Sequence, residues 1–275
     1  MIPVLSKRER FLRATRKELI DRIPVWLMRQ AGRYLPQYRE IKKNLSFMEL
    51  CARPDMAAEV SIQPYDLLGV DAIIVFNDIL IPFEYMGLSV SFNDSGPEIE
   101  PAVRSEDVLD SLCKPGFGEI PPVYDTIEHV RKTVGTDAPI LGFVGGPFTM
   151  ATYAIEGKTS KTFNCIKTLR YSQPNLLRRL LESITETVSE YLAIQIAAGA
   201  DAVQIFDTWA GILTTSDYRE FVLPYQQQVI RSAHEKGVPA ILYVNSCTPY
   251  IFELGESGAD VLSIDWRSDL KCVCE

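Results

Sequence analysis

Apolar residues fall along this chain in short solid runs, separated by longer stretches in which they recur every three or four positions. Residues 25–28, 140–144 and 240–244 are such runs. Each is too short for a lone helix and too continuous for a half-solvated strand, so each predicts a strand covered on both faces. Three further stretches share one order of residue types: Leu68-Gly69-Val70-Asp71-Ala72-Ile73-Ile74-Val75-Phe76, Ala198-Gly199-Ala200-Asp201-Ala202-Val203-Gln204-Ile205-Phe206 and Ser257-Gly258-Ala259-Asp260-Val261-Leu262-Ser263-Ile264-Asp265. Each reads as a helix end, a glycine that stops it in a left-handed turn, and a buried strand. Amphipathic segments fill the gaps, the longest at residues 175–198.

Six strands alternating with helices predict a parallel sheet with right-handed crossovers, either doubly wound or a (β/α)8 barrel. The polar residues favour the barrel. Asn77 and Asp78 follow the second run, Gly145 and Gly146 the third, Asp207 and Thr208 the fourth, Asn245 the fifth and Asp265 the sixth. Barrel active sites collect at the C-terminal ends of the strands, so these residues are expected around one bowl. No Gly-x-Gly-x-x-Gly or Gly-Lys-Ser/Thr loop points to a nucleotide. Residues 82–101 are expected as loops shaping the rim. The expected fold is α/β, of (β/α)8 TIM-barrel type, truncated after about six of eight strands. Residues 1–275 then form a single incomplete barrel domain, two βα units or roughly 60 residues short.

Composition narrows the partners. The 275 residues are 47% apolar, enough for a sizeable core, and the net charge of −8 disfavours a phosphate backbone, so no nucleic acid is expected. No apolar run is long enough for a membrane helix and the N-terminus lacks a secretory apolar core, so no membrane is expected and the predicted location is cytoplasmic. The six cysteines lack a Cys-x2-Cys pair, and His129 and His234 sit in charged, helix-like surroundings. Reduced structural cysteines, exposed histidines and no metal are the expectation.

The densest chemistry lies in Pro24-Val25-Trp26-Leu27-Met28-Arg29-Gln30-Ala31-Gly32-Arg33-Tyr34. Arg29 and Arg33 share a face if the segment is helical, and Gly32 lets backbone pass close to a ligand. Two guanidinium forks suit a polyanionic substrate. Surface pairing to acids such as Glu40 is the plainer alternative.

That segment, together with Phe76-Asn77-Asp78-Ile79-Leu80, Gly146-Pro147-Phe148-Thr149 leading to Tyr153, and Phe206-Asp207-Thr208-Trp209-Ala210-Gly211, resembles the uroporphyrinogen decarboxylase family over residues 11–265. The resemblance implies a carboxy-lyase of haem biosynthesis that works without a cofactor. Such an enzyme removes carbon dioxide from the four acetate side chains of uroporphyrinogen III to give coproporphyrinogen III, and acts as a homodimer with facing bowls. It further implies that Arg29 and Arg33 bind substrate carboxylates, one of them taking part in proton delivery. Asp78 would accept the pyrrole N–H groups and stabilise the developing cation, Tyr153 and Thr208 would hold peripheral carboxylates, and the backbone of Gln30, Ala31 and Gly32 would line the pocket. A family histidine in an Asn-Leu-Gly-His-Gly-like run has no counterpart here. Two alternatives remain: a non-catalytic, truncated porphyrinogen-binding remnant, and a zinc- and cobalamin-linked methyltransferase of the same superfamily. For the latter, Asn245-Ser246-Cys247 offers a thiol but no imidazole.

Overall fold

The computed structural model describes residues 4–28, 31–93, 96–113, 116–117 and 119–274. Strands are numbered in chain order: β1 (Ile73–Ile74), β2 (Ser89–Asn93), β3 (Gly96–Glu100), β4 (Ile140–Gly145), β5 (Ala202–Phe206), β6 (Ala240–Tyr243) and β7 (Val261–Ser263). Helices of nine residues or more are α1 (Lys7–Thr15), α2 (Pro54–Leu68), α3 (Pro122–Val134), α4 (Pro147–Glu156), α5 (Asn164–Ser172), α6 (Pro174–Ala197) and α7 (Leu223–Glu235). The main sheet is parallel throughout, in the order β1-β4-β5-β6-β7, with helices in the crossovers. This is the α/β architecture of a (β/α)8-type barrel, with five strands in the described residues.

The pleat sorts the side chains. Val203 and Ile205 point outward into the large core with Leu180, Ile184 and Val188 of α6. Ala202, its register neighbour Leu141 on β4 and Ile241 of β6 join Ala72 and Phe11 of α1 in a second cluster, so the N-terminal helix plugs the floor of the barrel.

The three related stretches turn out to carry a common fastening. In each, the aspartate two residues after the glycine exchanges a pair of hydrogen bonds with the residue that opens the preceding strand position. The Asp201 N–H donates to the Ile140 carbonyl at 2.7 Å while its Oδ2 accepts the Ile140 N–H at 2.8 Å. Asp260 does the same with Ala240, at 3.0 and 2.8 Å. Asp71 does the same with Val25, at 2.7 Å both ways. A further side chain completes each: Arg8 and Arg131 at Asp201, the His234 ring at Asp260, Arg10 and Arg22 at Asp71. Backbone groups at the floor, where the ladder begins, are thereby satisfied without a further strand.

Two expectations need correction. Residues 25–28 do not form a strand among the described residues, and Val25, Leu27 and Met28 are 42–50% exposed. A strand buried on both faces needs neighbours along its length. This segment is fastened beside β1 at Asp71, but β1 itself is only two residues long. Residues 82–101 are not plain loops: after the helix Ile81–Tyr85 they form the β2–β3 antiparallel hairpin, its ladder running from Ser89 opposite Glu100 to Asn93 opposite Gly96. Alternating Val90, Phe92 and Ile99 among polar neighbours carries the hairpin's period. The histidines lie where expected, His129 exposed on α3 and His234 exposed on α7.

Candidate active site

The polar residues that follow the strands do gather at the C-terminal edge of the sheet, each group being held by a different device. After β1, the Phe76 N–H donates to Ser61 Oγ of α2 at 2.8 Å, and Asn77 Nδ2 donates to the hydroxyl of buried Tyr191 on α6 at 2.7 Å. With its two predecessors pinned, Asp78 has a defined position. Its Oδ1 accepts the Leu80 N–H at 2.8 Å, a short turn that leads into Ile81–Tyr85. Asp78 makes no ion pair among the described residues. Burial pushes its carboxyl up to about 6, against the opposing pull of the Leu80 N–H. Its charge also reaches the buried Cys51 thiol, which burial chiefly, and then Asp78, hold above the ordinary range.

The arginine arm approaches from the same flank. Arg29 and Gln30 lie outside the described residues. Residues 31–35 are bends and turns, not helix, with the Leu35 N–H donating to the Gly32 carbonyl at 3.0 Å before the helix Pro36–Lys42 begins. The shared helical face expected of the arginines is therefore absent on the Arg33 side. Gly32 is not in a left-handed conformation, and a β-carbon there would meet only the Tyr34 ring, at ordinary contact distance. Ala31 packs against the Leu35–Tyr38–Leu50–Val60 cluster, as does Phe76, whose ring lies 5.9 Å from that of Tyr38. This apolar knot ties the arm to the strand end that carries Asp78. Arg33 is exposed, makes no ion pair among the described residues, and receives at its carbonyl a 2.8 Å hydrogen bond from Arg39. Glu40 pairs with Lys43 instead, so the plainer surface pairing does not occur at Arg33.

A second wall is built around Asp207, expected at a strand end but given no role by the family resemblance. It is wholly buried. Oδ1 accepts both the N–H and the hydroxyl of Thr149 at 2.8 Å, and Oδ2 accepts Gln226 Nε2 at 2.9 Å. Thr149 Oγ1 in turn accepts the Trp209 N–H at 2.9 Å. Burial holds the Asp207 carboxyl above its ordinary range despite these donors. The network joins β5, the first turn of α4 and the 3-10 turn Thr208–Ile212. It brings Tyr153 and Thr208 to the same wall, with the Tyr153 and Trp209 rings edge to face at 6.3 Å. The half-buried Thr208 hydroxyl makes no hydrogen bond among the described residues. Asp78 and Asp207 follow β1 and β5, which lie on either side of β4 in the sheet.

Two glycines make the close packing possible. A β-carbon at Gly146 would lie 2.3 Å from Asp207 Cβ, and one at Gly211 would lie 1.8 Å from the Asn245 carbonyl oxygen. Gly211→Ala must move backbone rather than a side-chain tip. We expect a loss of about 3 kcal/mol in urea unfolding, the upper part of the range for overpacking. Melting unchanged from the parent protein would show that the turn yields easily.

On the far side, Asp265 is held by the Ser246 N–H and by Arg267, while Cys247 is wholly buried with its sulfur 3.5 Å from Ser268 Oγ. Among the described residues no three His, Cys, Asp or Glu side chains converge as a metal site. Asn245 cannot supply the missing imidazole, and the residues present do not fit a zinc-thiolate centre. No helix among the described residues is long and apolar enough to cross a membrane.

Comparison with known proteins gives one consistent answer. A family model described as uroporphyrinogen decarboxylase (URO-D) matches residues 6–274. Among curated proteins, a uroporphyrinogen decarboxylase of Myxococcus xanthus is 44% identical over 264 residues, covering 94% of this chain and 74% of the relative. One of Pelobacter propionicus is 46% identical over 262 residues, covering 95% and 77%. The chain thus spans about three quarters of these relatives' length. Among solved structures, a methyltransferase from Methanosarcina mazei superposes with a TM-score of 0.74 at 21% identity, covering 94% of this chain and 76% of that one. At that identity the likeness speaks for the fold alone.

Proposed function

Since this chain belongs to the uroporphyrinogen decarboxylase family, we propose that it carries out that carboxy-lyase reaction without a cofactor, with Asp78 at the reaction centre and Arg33 among its substrate anchors. The reaction takes carbon dioxide from the four acetate side chains of uroporphyrinogen III and leaves coproporphyrinogen III. The observation that carries the assignment of Asp78 is a desolvated carboxylate, free of any ion pair among the described residues, fixed just beyond a barrel strand whose end shares an apolar cluster with the arm that carries Arg33.

The chemistry needs such a group. Protonation of a pyrrole at carbon turns the ring into an iminium-like electron sink. The bond between the acetate methylene and its carboxylate then breaks, its electron pair flows into the ring, and carbon dioxide departs. A proton delivered to the methylene carbon leaves a methyl group, and loss of the proton first placed on the ring carbon restores the pyrrole, so each cycle consumes one proton net from solution. Positive charge develops on the ring as it is protonated, and a carboxylate held in low dielectric stabilises it more than water does. The pyrrole N–H groups are suited to donate to the free lone pairs of Asp78. Arg33, with Arg29 from the same segment, is assigned to substrate carboxylates, and Tyr153 and Thr208 to carboxylates on the second wall. Asp207 works through Thr149 and Trp209 as a positioning residue for that wall. A pairing of two chains, bowl to bowl, and a cytoplasmic location belong to the same reading, as does a single domain over residues 1–275.

The test is anaerobic incubation of the purified protein with uroporphyrinogen, followed by oxidation and separation of the coloured porphyrins by carboxylate number. Seven- to four-carboxylate products are expected. Unchanged eight-carboxylate porphyrin from folded protein would favour instead a non-catalytic porphyrinogen-binding role.

A further inference from the structure

We infer that Arg267, just beyond β7, is a further substrate-carboxylate anchor that holds the rim of the macrocycle on the flank opposite Asp78 and Arg33. The inference rests on the proposed uroporphyrinogen decarboxylase reading.

Position comes first. In the order β1-β4-β5-β6-β7, Asp78 follows one outer strand of the sheet and Arg267 the other. Register places Tyr243 opposite Ser263, and two residues further along each strand come Asn245 and Asp265. Tyr243 points inward, its ring 6.1 Å from that of Phe206. The Tyr243 hydroxyl donates to Asn245 Oδ1 at 3.4 Å, and Arg267 Nη1 donates to the same oxygen at 3.4 Å and to Asp265 Oδ2 at 2.9 Å. The guanidinium therefore lies over the inward-facing ends of β6 and β7, at the bowl.

Its chemistry is incompletely used. Only Nη1 is engaged, while Nη2 and Nε have no acceptor among the described residues, and the side chain is 44% exposed. That is a fork with one prong anchored and the other edge open to a carboxylate. The anchoring is firm: Asp265 is itself held by the Ser246 and Arg267 N–H groups, and the Arg267 guanidinium lies 4.8 Å from the Trp266 ring centre.

Charge distribution supplies the reason. A macrocycle with eight carboxylates around its edge needs cations on more than one side. The segments that follow β5, β6 and β7, residues 207–214, 245–250 and 265–269, contain one basic residue between them, Arg267. Without it this flank offers only neutral donors such as Thr208.

The experiment is fluorescence titration of the protein with uroporphyrin, which has eight carboxylates, and with coproporphyrin, which keeps only the four that survive the reaction. The parent protein, Arg267→Ala, Arg267→Lys and Arg33→Ala are compared at low and high salt, with thermal melting of each. Loss of one charge-assisted pair predicts weakening of uroporphyrin by ~10- to 150-fold in Arg267→Ala. Partial recovery in Arg267→Lys, a flatter salt dependence and an unchanged melting temperature are expected alongside. Equal loss for coproporphyrin assigns the contact to a surviving carboxylate, and loss for uroporphyrin alone assigns it to an acetate. Affinity in Arg267→Ala equal to the parent's, with Arg33→Ala weakened, overturns the inference and leaves the family reading intact. A parent protein that binds neither porphyrin overturns the reading and the inference with it.

Discussion

Asp78→Asn is expected to lower kcat/KM for uroporphyrinogen by at least ~100-fold, the scale on which removal of one preorganised electrostatic group acts. The amide is the same size and its oxygen still accepts the Leu80 N–H, so the change removes charge and leaves shape. It also removes a desolvated carboxylate that has no cation partner among the described residues, so the variant should melt no lower than the parent. The pH profile makes the test specific. Burial places the Asp78 carboxyl at about 6, so the ionised form needed to face a developing cation dominates above that pH. The parent's kcat/KM should therefore fall roughly tenfold per unit below about pH 6, and the residual rate of Asp78→Asn should lack that limb. Near-normal turnover in the variant, or the same acid limb in both proteins, would remove Asp78 from the reaction centre.

Asp71→Ala is the largest stability effect we expect, about 3–5 kcal/mol, the scale for removing one partner of a buried ion pair. Arg10 is 4% exposed and Asp71 1%, and the substitution leaves that guanidinium with Asp21 and the Leu5 carbonyl while freeing the Val25 N–H. Asp260→Ala removes the same kind of fastening, but His234 and Asp260 are both well exposed, so about 1 kcal/mol is expected there. Urea unfolding of the two variants, side by side, measures the difference, and equal losses would mean that burial is not what gives the Asp71 fastening its strength.

Acid adds a second readout. At Asp71, burial favours the neutral form, but hydrogen bonds from Arg22, Val25 and Arg10 outweigh it and hold the carboxyl below its ordinary range. A carboxyl depressed on folding contributes stability that is fully present above its unfolded value, near 3.9, and is lost as pH falls toward the folded one. Acid unfolding of Asp71→Ala should therefore show a shallower pH dependence than the parent's.

How much of this was legible beforehand follows from how local each cause is. Glycine stops and continuous apolar runs act within a few residues, and they located five parallel strands and the long helix α6 correctly. The strand expected at residues 25–28 failed because strand formation depends on neighbours, which no local pattern contains. The condition for a helical face shared by Arg29 and Arg33 is not met at residues 31–35, which turn before Pro36 begins the next helix, while Arg29 lies outside the described residues. Asp78 and Thr208 lie just beyond β1 and β5, where the strand pattern puts them, while Tyr153 lies on α4. Asp207 was passed over because its partners, Thr149 and Gln226, are distant in the sequence, and a buried aspartate looks the same on paper as an exposed one. Its one local signal was Gly146, whose missing side chain makes room for it. Arg267 gave no signal at all, since its place depends on the pairing of β6 with β7.

The division of labour between the two ends of the sheet also draws a map for laboratory evolution. The aspartate fastenings sit at the N-terminal ends of the strands and their side-chain partners come from the floor, so they do not depend on the identity of side chains at the mouth. Libraries confined to residues 208–214, 246–250 and 266–269 should thus alter which anionic ring is accepted while most members still fold, provided that Gly211 and the buried Ala210, Cys247 and Tyr250 are kept constant.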